Sequence, residues 1–167
     1  MDIELPDEAA TAALGAALAR ALLAIDAAVL AQGFTVHLDG DLGAGKTTLV
    51  RGLLRELGVS GAVKSPSYTL LEPYKLSRLN LYHFDFYRFK NSQEFADVGF
   101  SEYFGPGAVC VAEWPGKAGE FLPGADLRIA LRALNTGRHA AVEANTEIGT
   151  ACRTRLESFL REAAAGA

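Results

Sequence analysis

Gly40-Asp41-Leu42-Gly43-Ala44-Gly45-Lys46-Thr47 fits G-x-x-x-x-G-K-[ST], the pattern of a phosphate-binding P-loop, and its neighbours are those such a loop needs. The apolar run Thr35-Val36-His37-Leu38 precedes it as a strand. Thr48 to Leu57 follows with Leu49, Leu53, Leu54 and Leu57 at helical spacing, and Gly58 is a stop signal. A phosphate chain can rest on the N-terminus of that helix, where unpaired N–H groups and the positive end of the dipole favour negative charge. The glycines let the backbone curl round the phosphates, Lys46 reaches the terminal ones, and the Thr47 hydroxyl is placed to hold Mg²⁺.

Working outward, Asp7 to Gln32 is rich in Ala and Leu, with Leu14, Leu18, Leu22 and Ile25 on one helical face and Asp7 and Glu8 suited to its first turn. Beyond the P-loop helix, Lys64 to Leu71 reads as a loop entering a strand, with Pro66 limiting helix. Leu79 to Arg88 predicts a strand whose period of two puts His83, Asp85 and Tyr87 on one face and Phe84 and Phe86 on the other. Asn91 to Phe95 can start a short helix. Ala108 to Ala112 reads as a strand buried on both faces and ending at Glu113-Trp114-Pro115. Strand candidates Leu127 to Leu134 and Ala140 to Glu143 flank a turn at Asn135-Thr136-Gly137, and a helix covers Glu147 to Arg161. The expected fold is α/β: a sheet parallel around the P-loop, antiparallel in its C-terminal strands and flanked by helices.

The 167 residues are expected to form one domain, enough to bury about 70% of the unfolded chain's surface. Cys110 and Cys152 have neither metal-ligand nor redox spacing, no apolar run reaches the length of a membrane span, and the acidic start Met1-Asp2-Ile3-Glu4 is unlike a secretory signal. The expected setting is the cytoplasm, away from any membrane. The net charge of −4 argues against broad nonspecific binding of nucleic acid. It hides an asymmetry, since eight Lys or Arg against three Asp or Glu between Lys46 and Lys90 give that segment +5 and leave the rest −9. The phosphate site accounts for part of this bias, and an acidic partner, RNA or plain solvation for the remainder.

A P-loop enzyme generally adds a carboxylate from a second strand to fix Mg²⁺, directly or through water. Glu113, at the end of the most apolar strand, and Asp85, beside His83, are the candidates. Purely structural roles compete: Asp85 can pair with Arg88 or His83, and Glu113 can cap the turn at Trp114-Pro115. A lone strand histidine more often satisfies a local hydrogen bond than transfers protons, and the aromatic residues around His83 read as packing.

Four segments in order, Gly40 to Thr48, Ser65-Pro66-Ser67-Tyr68-Thr69-Leu70, His83-Phe84-Asp85-Phe86-Tyr87-Arg88 and Glu113-Trp114-Pro115, resemble the TsaE (YjeE) family over nearly the whole chain. These are small bacterial P-loop ATPases that act with the TsaD and TsaB proteins in forming threonylcarbamoyladenosine at position 37 of tRNA. The resemblance implies that Asp41, Leu42, Gly43, Ala44, Gly45, Lys46, Thr47 and Thr48 bind the ATP phosphates. It implies that Thr47 and Glu113 hold Mg²⁺ with Asp85 near the reacting end, so that Lys46, Asp85 and Glu113 carry catalysis. It also implies a switch-like loop at Ser65 to Thr69 and nucleotide contacts from Glu8, Ala10 and Arg138. Ser67 stands where the family usually has Thr, and Gly116 where an acidic residue commonly follows the proline.

The resemblance points to an ATPase that drives a TsaD-TsaB complex through turnover without itself modifying tRNA. The residues alone leave two alternatives: a small-molecule kinase on the same fold, and a nucleotide-dependent binding switch with negligible hydrolysis. A kinase would need an acceptor pocket and an arginine-bearing lid, and no Arg-rich insertion is visible. No Asn-Lys-x-Asp segment is present to read guanine. On any of these readings Lys46→Ala is expected to weaken ATP binding or abolish turnover while the fold persists, because the ammonium serves the ligand's phosphates. Unchanged ATP affinity and turnover in a folded variant, by calorimetry and phosphate release, would exclude this loop as the working site.

Overall fold

The computed structural model describes residues 1–165 and contains one seven-stranded mixed sheet. In chain order the elements are β1 (Asp2–Leu5), α1 (Glu8–Leu23), α2 (Ala27–Leu30), β2 (Phe34–Asp39), α3 (Lys46–Glu56), β3 (Leu71–Lys75), β4 (Asn80–Asp85), α4 (Gln93–Asp97), β5 (Ala108–Glu113), α5 (Pro115–Ala118), β6 (Leu127–Ala133), β7 (Arg138–Ala144) and α6 (Glu147–Ala165). Short 3₁₀ turns at Phe100–Tyr103 and Gly119–Phe121 complete the set. Across the sheet the strands run β1-β7-β6-β2-β5-β4-β3. Its centre, β6-β2-β5-β4, is parallel, and β7, β1 and β3 add antiparallel edges.

Strand alternation separates the two faces. In β5, Val109 and Val111 join a core with Leu14, Leu18 and Leu22 of α1, Leu49 and Leu53 of α3 and Leu156 of α6. Ala108, Cys110 and Ala112 point the other way, into a cluster with Phe84, Phe86, Phe95 and Phe100. Every residue of β5 is buried, as expected of a parallel strand covered on both sides. Register then decides the site. In β4 the alternation groups Leu81, His83 and Asp85 on the α3 side, and pairing sets Asp85 opposite Glu113 at the C-terminal ends of neighbouring strands.

Several boundaries depart from those read in the sequence. The expected helix from Asp7 to Gln32 is two helices, because the Asp26 carboxylate accepts from Ala28 N at 2.8 Å and caps a new start. Asp2–Leu5 is an edge strand too short to show its own alternation. The strand expected over Leu79 to Arg88 ends at Asp85, whose Oδ1 accepts from Tyr87 N at 2.9 Å and turns the chain. Tyr87 and Arg88 therefore lie in a turn, and Tyr87 does not continue the His83–Asp85 face. The helix begun at Asn91 starts at Gln93 instead, with Glu94 Oε1 accepting from Lys90 N and Asn91 N, and the last helix runs past Arg161 to Ala165.

Helices α1 and α3 pack closely because Gly15 and Gly52 remove the side chains between them. A Cβ on Gly52 would run into the Ala12 carbonyl oxygen, and one on Gly15 into that of Leu49, both backbone atoms with no room to yield. Gly52→Ala is expected to cost about 1–3 kcal/mol of stability in urea unfolding. Gly116→Ala, with nothing within 4 Å of the added methyl, is expected to stay within about 0.5 kcal/mol of the parent or gain slightly.

Candidate functional site

The loop between β2 and α3 curls because glycine occupies its turning points. Gly40 has φ +141°, and Gly45, the N-cap of α3, has φ +106° with the Arg138 side chain directly over it. A side chain at Gly45 would strike Arg138 Nε, so glycine there serves both conformation and space. The loop opens onto a cleft of about 420 Å³ at the C-terminal ends of the parallel strands. Leu42, Gly43, Gly45, Lys46, Thr47 and Thr48 line it from the loop and the first turn of α3, where unpaired amides cluster.

Lys46 is 4% exposed, and its ammonium donates to the carbonyls of Gly40 at 2.5 Å and Asp41 at 2.9 Å. Burial lowers its pKa from the usual lysine value, and the charges of Glu113, Asp85 and Asp41 oppose that shift. The ammonium lies 4.1 Å from the centroid of the Trp114 ring, a cation–π contact. Trp114 takes φ +57°, a left-handed conformation that a bulky residue rarely adopts, at the junction of β5 and α5. No local pattern signals this contact, since Lys46 and Trp114 meet only through sheet topology.

Glu113 is 2% exposed, and its Oε1 accepts from Thr47 Oγ1 at 3.2 Å and lies 2.9 Å from His83 Nε2. Asp85 is 3% exposed, with Oδ2 accepting from Ser65 Oγ at 2.6 Å and Oδ1 from Tyr87 N. Of the alternatives left open for these residues, His83 therefore pairs with Glu113 and not with Asp85. Arg88 turns away from Asp85, its guanidinium 4.0 Å from the centroid of the exposed Tyr68 ring. The loop from Ser65 to Leu70 is held between those two contacts, and Leu70 takes φ +66° as it enters β3.

Other residues singled out in the sequence divide. Glu8 lines the cleft, and its Oε1 accepts from Thr48 Oγ1 at 3.3 Å and Arg51 Nη1 at 3.4 Å. Arg138 lines it from the start of β7, its Nε buried without a hydrogen-bond partner among the described residues. Ala10 lies in the first turn of α1, outside the cleft lining, with its amide bonded to Asp7 Oδ1 at 2.7 Å. Asp41 and Ala44 belong to the loop but are not among the residues lining the cleft; Asp41 is exposed and Ala44 buried.

A hydroxyl and two carboxylates, all hard oxygen donors, suit Mg²⁺ better than a softer metal. Among the described residues no group of three or more His, Cys, Asp or Glu side chains is arranged to hold a metal ion. The donor set fits a cation that arrives with phosphates and completes its shell from them. Among the described residues no helix is long and apolar enough to cross a membrane.

Comparison with known proteins gives the same family from three directions. A family model described as "Threonylcarbamoyl adenosine biosynthesis protein TsaE" matches residues 5–140. The tRNA threonylcarbamoyladenosine biosynthesis protein TsaE of Haemophilus influenzae is 38% identical over 145 residues, covering 87% of this chain and 90% of its own. The protein of the same name from Bacillus subtilis is 39% identical over 113 residues, 68% of this chain and 70% of its own. The crystal structure of Bacillus subtilis YdiB superposes with a TM-score of 0.71 at 30% identity, over 97% of this chain and 95% of that one. With its sheet, its cleft and its sequence all of one kind, this chain belongs to the TsaE family of tRNA threonylcarbamoyladenosine biosynthesis proteins.

Proposed function

We propose that this protein binds ATP with Mg²⁺ in the cleft, hydrolyses it, and uses the cycle to drive a TsaD-TsaB complex through repeated rounds of tRNA modification. The observation that carries the reading is the meeting of Thr47, at the start of α3, with Glu113, at the end of β5, beside a glycine loop that lines an open cleft. The first-turn amides of α3 bind phosphate oxygens, and Lys46 exchanges the Gly40 and Asp41 carbonyls for the terminal phosphate. Thr47 and Glu113 hold the cation, directly or through water, with Asp85 beside them. When bound, Mg²⁺ would supply positive charge to neutralise what develops on the phosphates during transfer. Arg138 brings an unsatisfied guanidinium N–H to the phosphate side of the cleft, and Glu8 borders it from α1.

The Ser65–Asp85 hydrogen bond favours a refinement in which the loop from Ser65 to Thr69 reports the nucleotide state to the partner. ATP then favours a docked arrangement that hydrolysis weakens, since only contacts that differ between the two states shift such an equilibrium.

Glu113→Gln keeps size but removes charge, so hydrolysis is expected to fall by about tenfold or more while ATP affinity changes by less than about threefold. Asp85→Asn is expected to behave likewise. Parent rates in both variants, measured by phosphate release in the partner complex, would refute the carboxylate assignment. The function itself is tested by following tRNA modification by TsaD-TsaB with this protein added. Multiple rounds are expected with ATP and stalling with a nonhydrolysable analogue. Equal multiple-turnover rates with this protein omitted would overturn the proposal.

A further inference from the structure

His83 is fully buried, yet it is polar on both sides of its ring. Nε2 lies 2.9 Å from Glu113 Oε1, and Nδ1 has no hydrogen-bond partner among the described residues. A side chain kept only for packing has no reason to be histidine here. A leucine of similar bulk would fill the space without leaving a ring nitrogen unpaired, an omission that costs on the order of 1–3 kcal/mol. The whole polar capacity that His83 uses goes to one carboxylate oxygen. That oxygen is the one that also accepts the Thr47 hydroxyl.

We infer that His83 is a positioning residue for Glu113. Its Nε2–H donates to Oε1, and with Thr47 it fixes the carboxylate plane from two directions. No described donor reaches Oε2, which is left for a cation or a cation-bound water. Nε2 is the donor in the contact with Oε1 because a carboxylate can only accept. His83 stays out of the cleft lining and acts through Glu113, which lines it. Strand register supports the assignment, since β4 and β5 pair His83 with Val111 and Asp85 with Glu113, placing the imidazole one alternation behind the carboxylates on the same face. Partners of this kind that orient a metal-holding group change metal affinity by about 10–100-fold when removed.

The inference rests on the cation-binding reading above and is tested apart from hydrolysis. Mn²⁺ is titrated into the full-length protein saturated with ADP and followed by electron paramagnetic resonance. His83→Leu is expected to weaken Mn²⁺ binding by about tenfold while ADP affinity in EDTA stays within about twofold of the parent. His83→Gln, whose amide N–H reaches the place of Nε2, is expected to recover the affinity to within about threefold. Equal Mn²⁺ affinity in parent and His83→Leu would overturn the inference. If that variant does not fold, ¹⁵N spectra of the parent imidazole decide: an Nε2–H tautomer whose signal moves in Glu113→Gln supports it, and an Nδ1–H tautomer overturns it. A parent that binds Mn²⁺ with ADP but does not support TsaD-TsaB turnover would defeat the proposed function and leave this comparison standing. A parent that binds no Mn²⁺ would overturn both.

Discussion

A carboxylate buried to 2% exposure at the end of an all-buried strand sets the terms for the rest of this structure. Left without a partner, such a group would cost several kcal/mol or give up its charge. Glu113 is answered from two other elements, by Thr47 on α3 and His83 on β4, so one oxygen atom ties three elements together. The tie constrains the sheet as well. A slip of one residue between β4 and β5 would send His83 and Asp85 into the phenylalanine cluster on the far face. The register that packs the sheet is the register that builds the site.

The positive side of the cleft follows a different logic. Lys46 is held by the loop's own carbonyls and the face of Trp114, while Arg138 keeps an unpaired Nε over Gly45. The left-handed Trp114 is part of that arrangement: an ordinary β-conformation would carry the indole onward with the strand, and the φ of +57° turns it back over the loop.

Much of this was legible in the chain. The glycine loop announced its helix and strand, and the apolar run from Ala108 to Ala112 located Glu113 at a strand end, whereas Asp85 reads as mid-strand in a run to Arg88 that the structure ends at Asp85 itself. The α/β sheet with its C-terminal hairpin followed from the order of those elements. What the sequence withheld were pairings across long separations. Nothing local distinguishes a histidine that will face Asp85, two residues away, from one that will face Glu113, thirty residues away. Edge strands were equally quiet: β1 spans four residues and alternates weakly, and β3 carries Pro73, which tolerates an edge but gives no strand signal. Asp26 looks like a solvated carboxylate in sequence and Asp85 like a candidate cation holder, yet each also captures a backbone amide two residues on and ends or restarts an element.

Asp85 shows how the same group serves fold and site at once. Its Oδ1 fixes the turn after β4, and its Oδ2 anchors Ser65 at the root of the loop that carries Ser67 and Tyr68 to the cleft. An ionised carboxylate offers about two acceptor sites on each oxygen, so a cation drawing on Oδ2 would share that oxygen with the Ser65 hydroxyl. A ligand that recruited Asp85 through Oδ2 would meet the Ser65 contact directly, while the Tyr87 contact lies on the other oxygen. The two oxygens of one side chain thus serve different ends, Oδ1 the turn after β4 and Oδ2 the loop from Ser65, so that the loop and the proposed cation site meet at a single carboxylate.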